Sequence, residues 1–144
     1  MCVSRRFDLS VTADAPAQAR HLAHTELAEV LAPGPAAAEA VADVELLVSE
    51  LVSNAVKTGA APVTLGLDIH HDWLGLSVHD RDPGWPVMLD PDPADTHGRG
   101  LRIVQALTEA WGVEPASDGG KTVWVRVPLP GPAVRLDCTH RAAR

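Results

Sequence analysis

Two runs of alternating hydrophobicity, 63–69 and 73–78, are separated only by His70-His71-Asp72, and no other feature of this chain restricts its fold as much. Leu74, Leu76 and Val78 share one face of the second run, the period expected of a half-buried strand. A link this short joins its strands as an antiparallel hairpin, because a parallel crossover needs on the order of a dozen residues. The flanking pattern must therefore build outward from a hairpin. The chain has 144 residues, enough for one compact domain with a core that needs no disulfides.

Before the hairpin, Phe7, Leu9 and Val11 alternate as a short strand. Asp14 stands as an N-cap before Ala15-Pro16, and Ala19, Leu22, Ala23, Leu27 and Val30 form one helical stripe that Pro33-Gly34-Pro35 stops. A second helix is predicted from about Ala36 to Thr58, with Val41, Val44, Leu47, Val48, Leu51, Val52 and Ala55 on a wide apolar face and Gly59 as its C-terminal glycine. After the hairpin, Asp80 to His97 has no period and carries Pro83, Gly84, Pro86, Pro91 and Pro93, which reads as a functional or mobile loop. Helical period returns from Gly98 to Ala110 through Leu101, Val104 and Leu107, and a closing hairpin turns at Ser117-Asp118-Gly119-Gly120 before a strand over Thr122–Val127. The fold class implied is α+β: a two-layer sandwich whose mixed, mostly antiparallel sheet is covered on one face by about three helices. Residues 7–130 form the domain, with 1–6 and 131–144 read as flexible termini.

Composition removes several function classes. The 12 basic against 19 acidic residues give a net charge of −7 without a Lys/Arg run, so direct nucleic-acid binding is not expected. Cys2 and Cys138 offer neither a disulfide framework nor paired ligand spacing, and with no long apolar N-terminal stretch the reading is a cytoplasmic protein without a membrane partner. Ser49 and Ser53 have no hydrolase-triad arrangement, and the histidines show no metal-binding convergence. Gly119-Gly120-Lys121-Thr122 imitates the end of a P-loop, but the first glycine of that motif would fall on Pro115 and a strand follows instead of a helix. Trp73, Trp111 and Trp124 read as core residues, and Trp85 as a loop residue.

Three polar features can carry chemistry. Glu50 and Asn54 lie four apart, one helical turn, inside an otherwise apolar stretch. A carboxylate there can accept a proton, and a carboxamide oxygen suits Mg²⁺; the same pair also fits the solvent face of an amphipathic helix. Asp80 ends a strand, where it can accept a hydrogen bond from a base amino group or simply make a turn. Gly98-Arg99-Gly100 opens a helix, where backbone amides and the macrodipole favour phosphate, or where glycines merely give a hinge.

In this order, the segments resemble the histidine-kinase-like (Bergerat or GHKL) ATPase superfamily, and within it the anti-sigma-factor serine/threonine kinase family of short stand-alone actinobacterial proteins. The resemblance covers Phe7 to Pro130. Ser49-Glu50-Leu51-Val52-Ser53-Asn54-Ala55-Val56 is similar to the N box, which implies Glu50 as general base and Asn54 as the Mg²⁺ ligand. The segment 80–84 is similar to the motif whose Asp binds the adenine amino group, implying that role for Asp80, with Gly84 as a turn glycine beneath the nucleotide. His97-Gly98-Arg99-Gly100-Leu101 resembles the phosphate-receiving motif, so Gly98, Arg99, Gly100 and Leu101 are implied contacts. Gly120-Lys121-Thr122-Val123-Trp124 resembles the final strand, whose Thr supports the adenine pocket, implying Thr122. Asp82 stands where many relatives have glycine, Thr58 where close relatives often have a larger polar residue, and the loop over 85–97 is short and Pro-rich.

The resemblance implies ATP and Mg²⁺ as cofactors, a sigma factor and/or an anti-sigma antagonist as protein partner, and a possible homodimer. The function it implies is transfer of the ATP γ-phosphate to a serine of an antagonist protein, sequestration of a sigma factor, or both. The departures point to an alternative: a catalytically weak or inactive module of the same fold that works by protein contact. A detached histidine-kinase catalytic domain has no support, since no adjoining helix pair with a phospho-accepting His is present in the sequence.

Overall fold

The computed structural model describes residues 3–57, 61–84 and 99–130. Its elements run β1 (Val3–Leu9), α1 (Ala15–Val30), α2 (Pro35–Lys57), β2 (Val63–Ile69), β3 (Trp73–Asp80), α3 (Arg99–Leu107), β4 (Ala110–Pro115) and β5 (Lys121–Pro128). The five strands form one sheet in the order β1-β2-β3-β5-β4, and every pairing is antiparallel. Three helices and an open sheet give the α+β architecture expected from the hairpins. Gly59, Thr58, Trp85, the rest of the 85–98 loop and the 131–144 tail lie outside the described residues.

The core lies between the helices and one face of the sheet. Leu65, Leu67 and Ile69 of β2 stand opposite Val78, Leu76 and Leu74 of β3, which in turn stand opposite Val123, Val125 and Val127 of β5. All nine are buried. Against them α1 brings Ala15, Ala19, Ala23, Leu27 and Val30, and α2 brings Ala37, Ala40, Val44, Leu47, Val48, Leu51, Val52 and Ala55. These positions recur at three- and four-residue steps, so each helix turns one stripe to the sheet.

Several expectations are corrected by pairing partners that local pattern does not reveal. β1 starts at Val3, because its register with β2 runs from Val3 opposite Ile69 to Leu9 opposite Val63. Val3–Arg6 therefore belong to the sheet and not to a flexible terminus. The strand stops at Leu9, and Thr12 donates its amide to the Ser10 carbonyl in the turn that follows. Asp14 precedes α1 but makes no side-chain cap bond; its carbonyl accepts the Gln18 amide at 3.0 Å. α3 ends at Leu107 instead of continuing to Ala110, because the Glu109 amide bonds the Arg126 carbonyl at 2.8 Å and draws the chain into the sheet.

Two of the three tryptophans read as core residues, Trp73 and Trp124, stand outside the core. Trp73 and Trp124 project from the sheet face away from the helices, and Trp111 is half-buried at the core margin. His70 stacks on Trp73 at 3.5 Å between ring centroids, and the Arg126 guanidinium lies 4.0 Å from that ring. On the same outer face Arg6 bonds both carboxylate oxygens of Asp68 at 3.1 Å, and the Ser4 hydroxyl donates to Asp68 Oδ1 at 2.7 Å. Burial raises the Asp68 pKa, but the Arg6 and Ser4 hydrogen bonds and the Arg6 charge outweigh it and hold the carboxyl below its ordinary value.

Candidate functional site

Asp80 and Thr122 lie at one end of the sheet, where β3 ends and β5 begins. α2 ends at Lys57 and β2 begins at Val63, so the C-terminal turns of α2 lie near the start of β2. Thr64 pairs with His79, the neighbour of Asp80, which brings the end of β3 to that same edge. Asp80 in turn stands opposite Lys121, the first residue of β5. α3 packs on α2, buries Val104, and delivers the chain at its C-terminus to Arg126, toward the far end of β5.

Asn54 is 8% exposed and sits on the core side of α2, while Glu50, one turn before it, is half-buried. Next to Glu50, Ser49 donates its hydroxyl to the Glu45 carbonyl at 2.9 Å and accepts a bond from Arg20 of α1 at 2.9 Å. This tie fixes the turn of α2 that carries Glu50 against α1. Gly100 is buried in the first turn of α3, and Leu101 is half-buried against the core. Gly98 lies outside the described residues, and Arg99 enters only as the first residue of α3.

Asp80 is 1% exposed and Lys121 3%, and they are bonded to one another, Nζ to Oδ1, at 3.0 Å. The alternation of β5 explains why: Lys121, Val123, Val125 and Val127 all point to the helix side of the sheet. The same alternation turns Thr122 to the outer face, opposite His79, so Thr122 does not join Asp80. The inward position next to Asp80 belongs to Lys121. Its inward place is legible in the sequence, two residues before Val123 in a period-two run.

Lys121 also holds the segment after Asp80. Its ammonium donates to the Asp82 carbonyl at 2.9 Å and lies 3.6 Å from Asp82 Oδ2. The Asp82 amide donates to Asp80 Oδ1 at 2.8 Å. Gly84 is exposed, and its amide makes only a long 3.4 Å bond to Asp82 Oδ1. Gly120 is needed for this arrangement, since a Cβ there would overlap the Asp80 carbonyl and lie 2.6 Å from the Arg81 Cα. The preceding turn uses Gly119 at φ +87°, and Asp118 caps it by accepting the Gly120 amide at 2.9 Å. That bond, helped by His79 at 3.0 Å, keeps the Asp118 carboxyl below its usual range.

The donor set limits what the site can hold. Among the described residues no three His, Cys, Asp or Glu side chains converge as a metal cage. Asn54 offers one hard oxygen. That suits Mg²⁺, which is ordinarily held by one or two protein oxygens with phosphate and water completing its shell. No helix among the described residues is long and apolar enough to cross a membrane.

Comparison with known proteins gives the site its context. The family model of the histidine kinase-like ATPase domain matches residues 12–127. The sensor histidine kinase PdtaS of Mycolicibacterium smegmatis is 33% identical over 95 residues, covering 58% of this chain and 19% of that protein. The crystal structure of the RsbU and RsbW domains of Rv1364c from Mycobacterium tuberculosis is similar with a TM-score of 0.67 and 25% identity, covering 91% of this chain and 34% of that one. The chain thus spans about a fifth and a third of the lengths of these two relatives. It belongs to the histidine kinase-like ATPase domain family, and membership implies ATP binding.

Proposed function

We propose that this ATPase-domain protein binds ATP with Mg²⁺ at the sheet end marked by Asp80 and transfers the γ-phosphoryl group to a serine of a partner antagonist protein, sequestering a sigma factor through the same partner network. The observation that carries this reading is the Glu50–Asn54 pair, set one turn apart in the C-terminal half of α2 with Asn54 buried. The likeness to the RsbW-containing structure supports the choice of a regulatory kinase.

In this reading Asp80 accepts the adenine amino group and the start of α3, Arg99 to Leu101, faces the phosphates, since the amides of a helix start favour an anion. Asn54 holds Mg²⁺, which supplies charge neutralisation at the phosphates. Glu50 orients the serine hydroxyl and accepts its proton. Gly84 and Thr122 carry less of the site, because one is exposed and the other faces away from Asp80.

A second reading, a catalytically weak module acting by contact, is favoured by one observation: Asp80 is already engaged by Lys121. Calorimetric titration of ATP with and without Mg²⁺, on the wild type and Asn54→Ala, separates the two. Saturable Mg²⁺-dependent binding that Asn54→Ala abolishes, with phosphate transfer lost in Glu50→Gln, supports the kinase. Partner binding that is indifferent to ATP and to Asn54→Ala sinks it. Asp80→Asn is a poor probe here, because it leaves the Lys121 ammonium buried without its carboxylate.

A further inference from the structure

The Asp80–Lys121 pair is where the structure departs most from a simple adenine-reading carboxylate. A lone buried carboxylate favours a base that presents a 6-amino donor and repels one that presents a 6-oxo acceptor, since two oxygens with partial negative charge then meet. Here an ammonium stands 3.0 Å from that carboxylate, and both groups are buried where solvent screens little. The ammonium is also fixed: Asp80 Oδ1, the Asp82 carbonyl and Asp82 Oδ2 surround it at 3.0, 2.9 and 3.6 Å. Both bonds to Asp80 from described residues end on Oδ1, from the Lys121 ammonium and the Asp82 amide. Oδ2 is thus the oxygen left to a ligand, and its charge is offset in part by the Lys121 ammonium, which Asp80 shares with Asp82.

We propose that Lys121 is a specificity-determining residue of the base pocket: by offsetting the charge of Asp80 it weakens the discrimination between 6-amino and 6-oxo purines, so the site takes guanine nucleotides as well as adenine nucleotides. The inference rests on the reading of Asp80 as the base acceptor. Lys121 acts on the base through Asp80 and by its charge, so the conservative replacement is Lys121→Arg and the disabling one is Lys121→Thr.

The test is titration of Mg-ATP and Mg-GTP into the full chain at pH 8, comparing wild type, Lys121→Thr and Lys121→Arg. A side-chain contact to a base edge typically carries about 5- to 150-fold discrimination. The expected wild-type ratio of GTP to ATP dissociation constants is therefore below about 10, rising about tenfold or more in Lys121→Thr and returning toward the wild-type ratio in Lys121→Arg. Because a ratio cancels a uniform loss of folded protein, instability of Lys121→Thr does not mimic this result, and the wild-type ratio decides even where that variant fails to fold. A wild-type ratio above about 100, or a ratio that Lys121→Thr leaves unchanged, overturns the proposal. Binding of neither nucleotide by the wild type overturns the ATP reading and the inference with it, an outcome distinct from an unchanged ratio.

Discussion

At the scale of single residues, the structure separates charges that matter to folding from those that dress the surface. Lys121→Met alone is expected to cost about 3–5 kcal/mol, because it leaves Asp80 as an uncompensated buried carboxylate. Asp80→Asn alone is expected to cost less, because the Asp82 carboxylate 3.6 Å from the Lys121 ammonium still offsets that charge. The double variant should lose far less than the sum, and chemical denaturation of the four proteins of the cycle measures the coupling. Arg6→Met is a milder change on the open face. Asp68 has a folded pKa below its unfolded one, so its contribution is present above the unfolded value and is lost as pH falls through the folded value. Removing Arg6 raises the folded pKa toward the unfolded one. The variant should lose about 0–1 kcal/mol at neutral pH, and its stability should fall less on acidification. An NMR titration of the Asp68 carboxyl checks the direction. The Glu50–Asn54 pair and the strand-ending Asp80 stand out in the sequence because each interrupts a regular apolar pattern. The partner of Asp80 does not stand out, because nothing local says which inward residue of β5 will lie opposite it.

At the scale of elements, period governs what the sequence reveals. α2 is readable almost to the residue, since its stripe runs unbroken from Ala37 to Ala55. Its two leucines at 46 and 47 show how sharply that stripe is drawn: Leu47 is fully buried and Leu46 is 44% exposed. Leu47→Ala is expected to destabilise by about 2–5 kcal/mol and Leu46→Ala by less than about 0.5 kcal/mol, a contrast that urea melts of the two variants resolve. β4 and the first half of β1 are harder to read. Val3–Arg6 has polar residues wherever it faces solvent, and Ala110 continues a helical stripe that tertiary pairing ends at Leu107. Both become strands because a partner strand supplies their hydrogen bonds, and a partner distant in sequence leaves no local signature.

At the scale of the whole molecule, the sheet has two edges, β1 and β4. β1 carries Arg5, Arg6 and Asp8, which pair with Glu26, Asp68 and Thr64, and charges on an edge strand are of the kind that discourage edge-to-edge pairing between molecules. Replacing Arg5 and Arg6 together by valine is expected to raise the mean association state in sedimentation experiments; an unchanged state would show that the edge is protected in some other way. The strand order has a temporal side as well. β2 and β3 form a hairpin, as do β4 and β5, but β1 finds its partner only after both α1 and α2 have been crossed. During synthesis β1 leaves the ribosome before β2 and waits for it, roughly 3 to 10 s at ordinary elongation rates. A strand that must spend seconds unpaired in a crowded solution has good use for two arginines and an aspartate.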